Sequence, residues 1–317
     1  MVSGPTIGFI GVRRHSFPII AAFCTALLAG GAVDARAEIV KKAKPAAQKS
    51  RATPDLTKEG VPNLLSHAAM VIDPLTGRAL FAKNADSPMP IASITKLMTA
   101  MVVLEGRQNM DEPVVIDSAD IVTIKGSRSR LPVGTAFRRE DLLRLSLMAS
   151  DNRAAAALGR TYPGSTPAFV EAMNAKARQI GLQNARFVDP TGLAPTNVAS
   201  PQDLALLVAE ASNFPQIREY STTPELHVTL PNSKRSMGFN NTNALVRSQG
   251  WDIGLSKTGY INEAGKCLVM HATNANNPVV IVLLDSWGKL TRMGDANRIK
   301  KWLENSKQMA ALGPKDG

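Results

Sequence analysis

Apolar and polar positions fall in blocks whose period changes along the chain. "AAMVIDPLTGRALFAKNAD", residues 68–86, carries two short strand patterns around Asp73-Pro74-Leu75-Thr76-Gly77, with proline and glycine where a hairpin turn needs them. Helical spacing follows in "PIASITKLMTAMVVLEG", residues 90–106, and in "REDLLRLSLMASDNRAAAALG", residues 139–159. "TPAFVEAMNAKARQIG" opens on Thr166-Pro167 as cap and first turn and stops at Gly181, and "SPQDLALLVAEAS" sets Ser200 three residues before Asp203, close to a capping box. From Gly254 the period returns to that of strands in "GLSKTGY", "KCLVMHAT" and "PVVIVLLDS", with Asn276-Asn277-Pro278 turning between the last two. "RMGDANRIKKWLENSKQMAALG" closes the chain as an amphipathic helix. Strands at both ends of a helical middle predict an α/β chain of α+β type, with one antiparallel sheet assembled from the two ends and covered by helices. The strands at residues 67–83 are too few for a sheet of their own, so residues 61–308 read as a single domain.

The first residues follow neither pattern. Arg13-Arg14 precede the apolar run "FPIIAAFCTALLAGGAV", and Ala35-Arg36-Ala37 sets small residues at a cleavage site, so residues 1–37 read as an export signal that is removed. Residues 38–60, rich in Lys, Ala and Pro, read as a disordered basic tether, and residues 309–317 as a tail. A hydrophobic fraction of 44% and a charged fraction of 20% are those of an ordinary globular chain. Removing three of the 37 basic and one of the 26 acidic residues with the signal leaves a surplus of nine positive charges. That surplus suits an anionic wall or membrane surface, and export sets nucleic acid aside as a partner. Cys24 leaves with the signal, so Cys267 has no internal partner, and its apolar strand predicts a buried, inert thiol.

Within the helix that starts near residue 93, Lys96 stands one turn after Ser93 among apolar or small side chains. Residues three apart share a helix face, so the amine can reach the hydroxyl. Apolar surroundings disfavour the charged form and lower the pKa, as a lysine general base requires, and the free N–H groups of the helix start suit a developing oxyanion. The spacing alone is common: Ser286-Trp287-Gly288-Lys289 repeats it where glycine and a preceding strand predict a loop. Two further elements follow Ser93 and Lys96 in order, Ser150-Asp151-Asn152 and Lys257-Thr258-Gly259. The ordered triple matches the signature of penicillin-binding proteins and serine β-lactamases.

The resemblance narrows over "SITKLMTAMVVLE", "LMASDNRAAAALGRTYPG", "FVDPTGL", "FNNTNALV" and "LSKTGYINEAGKCLVM". Together these segments resemble the D-alanyl-D-alanine endopeptidases of the low-molecular-mass penicillin-binding proteins, the penicillin-binding protein 7 type, over residues 61 to 305. The resemblance implies a serine β-lactamase/DD-peptidase-like fold, an antiparallel sheet flanked by helices beside a mostly helical subdomain, with the site between them. It implies Ser93 as the acylated nucleophile, Lys96 as its base and Ser150 as the relay to the leaving amine. Asn152, Lys257, Thr258 and Gly259 would bind substrate, and the backbone N–H groups of Ser93 and Tyr260 would form the oxyanion hole. An extended peptide would pair with the 254–260 strand edge.

The implied activity is a periplasmic serine DD-endopeptidase that hydrolyses D-alanyl-meso-diaminopimelyl crosslinks in peptidoglycan and is acylated by β-lactams. A DD-carboxypeptidase that removes terminal D-Ala uses the same machinery; many of those enzymes append a β-rich domain and an amphipathic anchor, whereas 58 residues follow Gly259 here, and by family analogy that favours the endopeptidase as the expectation. A β-lactamase would need a deacylating carboxylate, and Glu171 with Asn174 has the wrong spacing inside a helix. A non-catalytic wall-binding or β-lactam-sensing module is the alternative from another class. His67, His227 and His271 are scattered, so neither a metal nor another cofactor is expected. Asn241, Asn243 and Asp189-Pro190-Thr191-Gly192 read as loop and turn residues.

Overall fold

The computed structural model describes residues 55–122, 129–230, 236–274, 276–288 and 290–311, with the side chains of 307–311 left out. The hairpin expected at 68–86 forms as β1 (Ser66–Ile72) and β2 (Ala79–Lys83), followed by the short β3 (Met89–Pro90). One 3-10 turn, Ala92–Ile94, leads into α1 (Thr95–Glu105). The middle of the chain holds β4 (Pro113–Val115), β5 (Ala136–Arg138), α2 (Arg139–Met148), α3 (Asn152–Arg160) and α4 (Ser165–Gln179). Then come β6 (Val198–Ala199), α5 (Pro201–Ala211), α6 (Pro215–Thr222), β7 (Glu225–Thr229) and β8 (Ser236–Asn240). The chain closes with β9 (Asp252–Ile261), β10 (Gly265–Asn274), β11 (Asn277–Ser286) and α7 (Thr291–Ala311).

The two ends of the chain build one antiparallel sheet in the order β2-β1-β11-β10-β9. Alternate residues of its inner strands enter two different cores. Met70 and Ile72 of β1 and Val280, Val282 and Leu284 of β11 face the helical side. Val71, Ile281 and Leu283 face α7, where Ala296, Ile299 and Leu303 cover them. Burial on both faces is why the last strands read as continuous apolar runs rather than alternating ones. On the helical side α1 is the central element: Leu97, Met98 and Met101 are wholly buried, and α2 to α6 pack around it. β9 is one edge of the sheet, β2 being the other, and it runs beside the 3-10 turn that starts α1.

Three boundaries differ from the sequence reading. Residues 55–60, assigned to the tether, are folded: Leu56 bridges Pro62, and Asp55 accepts a 2.8 Å bond from Lys301 of α7. A stretch whose one large apolar side chain, Leu56, is exposed is ordered here by backbone pairing and a charge pair, neither of which has a hydrophobic period. The proposed signal and residues 38–54 of the tether lie outside the described residues. The helix expected over 139–159 is two helices. Its apolar spacing continues through the break, but Ser150 adopts φ +57 and Asp151 caps α3 by accepting from Ala154 N. The expected capping box at Ser200 and Asp203 forms, whereas α4 starts at Ser165, one residue before the expected cap.

Candidate active site

The 3-10 turn places Ser93 beside Lys96 of α1, whose amine bonds to the start of α3, and against the β9 edge. Ala92 takes φ +47 just before it, and Ser150 sits at φ +57 opposite. A left-handed conformation costs a residue with a Cβ about 1–2 kcal/mol, so surrounding contacts must hold both. For Ala92 those contacts include Gly192, itself at φ +78, where any Cβ would lie 2.0 Å from the Ala92 carbonyl oxygen. Gly259 performs the same service from β9: a Cβ there would stand 2.9 Å from the Ile91 carbonyl oxygen and 3.2 Å from Ser93 N. The glycine of Lys257-Thr258-Gly259 thus lets the strand edge lie against the backbone of Ser93.

Lys96 is wholly buried. Its Nζ lies 2.8 Å from Ser93 Oγ and donates to Asn152 Oδ1 at 2.7 Å and to the Thr191 carbonyl at 2.6 Å. Burial pushes the amine down to about 7, against the attraction of Asp189 and Asp151. Lys257 is 1% exposed. Its Nζ donates to Ser150 Oγ at 2.8 Å and to the Thr258 carbonyl at 3.0 Å. Burial, then the positive charges of Lys96 and Arg292, hold it well below the ordinary lysine value. Thr258 Oγ1 lies 2.6 Å from Thr242 Oγ1. Tyr260 is half exposed on the edge, with Lys266 over its ring at 4.2 Å.

Seven of the residues singled out in the sequence therefore converge: Ser93, Lys96, Ser150, Asn152, Lys257, Thr258 and Gly259. Neutral Lys96 would donate its two N–H bonds to Asn152 and Thr191, both acceptors, and turn its lone pair to Ser93 Oγ. The arrangement is chemically suited to a serine nucleophile with a lysine base. Other contacts around the site were not visible in sequence. Asp151 receives Ser129 Oγ on both carboxylate oxygens, at 2.8 and 3.0 Å, and so ties residues 129–131 to the break before α3. Arg130 reaches across to the Gly238 carbonyl at 2.7 Å and lies over the Phe239 ring. The Asp189-Pro190-Thr191-Gly192 turn, read as a turn and nothing more, supplies a hydrogen-bond acceptor to Lys96. Its contact depends on packing across 95 residues of chain, which no local pattern carries. Asn241 and Asn243 make the loop hydrogen bonds expected of them, to the carbonyls of Ser221 and Thr223 and to Ser256 Oγ. Cys267 is buried, and burial raises its thiol to about 11. Among the described residues no group of three His, Cys, Asp or Glu side chains converges on a common point.

Residues 55–288 match the protein family described as D-alanyl-D-alanine carboxypeptidase, and the chain belongs to that family of serine peptidases. Within it, the chain is 46% identical over 256 residues to a D-alanyl-D-alanine endopeptidase of Pseudomonas aeruginosa, spanning 80% of this chain and 83% of that one. It is 44% identical over 253 residues to a D-alanyl-D-alanine endopeptidase of Escherichia coli, spanning 80% and 82%. Among solved structures, the DD-transpeptidase of a Streptomyces strain superposes with a TM-score of 0.71 at 29% identity, over 76% of this chain and 97% of that one. Penicillin-binding protein D2 from Listeria monocytogenes, in its ampicillin-bound form, gives 0.65 at 29% identity over 79% and 99%. The fold is the DD-peptidase fold that the ordered motifs imply.

Proposed function

We propose that the chain is a serine DD-endopeptidase that opens D-alanyl-meso-diaminopimelyl crosslinks in peptidoglycan. The observation that carries this reading is the wholly buried Lys96, with a pKa near 7, 2.8 Å from Ser93 Oγ. At neutral pH a large fraction of such a lysine is an unprotonated amine, able to accept the serine proton as Oγ attacks the D-Ala carbonyl. The negative oxygen that develops is received by the backbone N–H groups of Ser93 and Tyr260, a role supported by the close approach of Gly259, the residue before Tyr260, to Ser93 N. Ser150, bonded to Lys257, passes a proton to the departing diaminopimelate amine. Asn152 holds the substrate amide, and Lys257 and Thr258 attract a substrate or antibiotic carboxylate. Water then hydrolyses the ester on Ser93, and β-lactams, which mimic the D-Ala-D-Ala amide, acylate the same oxygen.

Crosslink opening is preferred to removal of terminal D-Ala because the relatives that match at 44 and 46% identity are named endopeptidases. Residues 1–37 serve export to the periplasm, and the basic surplus of the mature chain favours the anionic wall it works on. No described helix is long and apolar enough to cross a membrane. The test is mass analysis of products after the mature protein is incubated with purified crosslinked muropeptide dimers and, separately, with pentapeptide monomers. Dimer opening that disappears in Ser93→Ala supports the endopeptidase. Release of D-Ala from pentapeptide alone supports the carboxypeptidase instead, and no product from either substrate favours a binding module.

A further inference from the structure

Lys96 Nζ has three polar neighbours, and two of them, Ser93 and Asn152, belong to the ordered signature. The third is the Thr191 carbonyl, whose place is set by a carboxylate that touches neither Lys96 nor Ser93 in any hydrogen bond. Asp189 Oδ1 accepts from Thr191 N at 2.6 Å, Thr191 Oγ1 at 2.5 Å and Gly192 N at 2.9 Å. Its Oδ2 accepts from Ala194 N at 3.0 Å and from Asn197 Nδ2 at 2.6 Å. Asn197 is wholly buried and also receives Val188 N at 3.0 Å, so the support is rigid. From below, Thr99 Oγ1 of α1 donates to the Pro190 carbonyl at 2.6 Å. Five donors on one carboxylate are more than a turn needs, since one Asx bond closes it.

We infer that Asp189 is a positioning residue for Lys96: it gathers residues 189–194 so that the Thr191 carbonyl occupies one N–H of the amine and the lone pair is left facing Ser93 Oγ. The inference rests on the reading of Lys96 as the base for Ser93. Asp189 also sets charge. The ionisable groups that face Lys96 are Asp189 from the turn, Asp151 from the start of α3 and Lys257 from β9. Burial tends to raise the Asp189 carboxyl, but the bonds from Thr191, Ala194 and Asn197 outweigh it and hold the group below the usual carboxylate range. It is therefore an anion throughout the neutral range, and its attraction keeps Lys96 from losing its proton too readily. Neutralising Asp189 makes the amine easier to deprotonate while loosening the carbonyl that aims it.

The experiment follows Lys96 by NMR in the mature protein labelled with 13C-lysine, the signal being assigned by its loss in Lys96→Arg. In Asp189→Asn the Lys96 titration midpoint is expected to fall by roughly one pH unit, the size of a nearby opposite charge. Acylation by a fluorescent penicillin, measured on the same protein across pH, is expected to show an acid limb moved down by the same amount and a plateau lowered about tenfold. Asn197→Ala removes one support and no charge; its plateau is expected to fall with the Lys96 midpoint unmoved. A folded Asp189→Asn with an unchanged Lys96 midpoint overturns the inference, as does wild-type acylation in Asn197→Ala, which decides the matter alone if Asp189→Asn does not fold. A wild-type protein that penicillin never acylates refutes the function reading, and the Lys96 titration still judges Asp189.

Discussion

Replacing Gly192 with alanine perturbs the nucleophile without touching it. The new Cβ would lie 2.0 Å from the Ala92 carbonyl oxygen, 2.5 Å from its carbon and 2.8 Å from Thr95 Oγ1, and the residue would have to hold φ +78. Real Cβ atoms essentially never approach closer than 3.0 Å, so the turn and the 3-10 segment must part by about 1 Å. The left-handed backbone adds about 1–2 kcal/mol of strain. Because Ala92 carries Ser93 and Thr191 carries the acceptor of Lys96, the displacement falls between nucleophile and base. A misplacement of that size costs about 100-fold in rate. Gly259→Ala is the graded comparison: its Cβ meets the Ile91 oxygen at 2.9 Å with no unusual φ, so a few tenths of an ångström relieve it and a smaller loss is expected. The assay is the second-order rate of acylation by a fluorescent penicillin at pH 8, with a thermal melt to account for folding. Acylation by a folded Gly192→Ala within twofold of wild type, or a greater loss in Gly259→Ala, would refute the reasoning.

Two further outcomes are expected. Lys96 must be neutral to accept the Ser93 proton, and with its pKa near 7 the acylation rate should fall as pH drops through 7 and stand about tenfold below its plateau at pH 6; a flat profile from pH 6 to 8 would exclude a lysine base of that pKa. Asp295, wholly buried, accepts from Leu65 N, Ser66 N, Ser66 Oγ and Arg298, and so ties the start of β1 to α7. Asp295→Ala takes the side-chain acceptor from Leu65 N and Ser66 N and leaves Arg298 only its 3.7 Å ion pair to Asp55, so urea denaturation should register a loss of about 2–4 kcal/mol, while a loss under about 1 kcal/mol would contradict that role.

Most of the frame and the core of the site were legible in sequence. The hairpin at β1 and β2 announced itself by proline and glycine in its turn, and β9 to β11 by apolar runs bounded by turn residues. Ser93 with Lys96, Ser150 with Asn152, and Lys257 to Gly259 were found because three short motifs came in order. The repeat of the spacing at Ser286 was expected in a loop, but Ser286 is the last residue of β11, buried against Ser66 Oγ at 2.7 Å, and Lys289 lies outside the described residues. What escaped depends on contacts rather than on period. The break at Ser150 interrupts a helix whose apolar spacing does not falter, though Asp151, a good N-cap type, was a signal that could have located it. β7 and β8 do alternate polar with apolar positions, as ELHVT and SMGFN, and that period was a signal that could have found them; at five residues each, on a half-exposed hairpin away from the main sheet, they were passed over. The Asp189 turn looked complete in itself, and only the folded chain brings its carbonyl to Lys96.

The most direct measurement is intact-mass and peptide-mass analysis of the mature protein after reaction with a penicillin at pH 8. One adduct per chain is expected, on the peptide that contains Ser93, absent in Ser93→Ala and formed far more slowly in Lys96→Ala. An adduct on another residue, or Lys96→Ala reacting at the wild-type rate, would contradict the assignment of Ser93 and Lys96 as nucleophile and base.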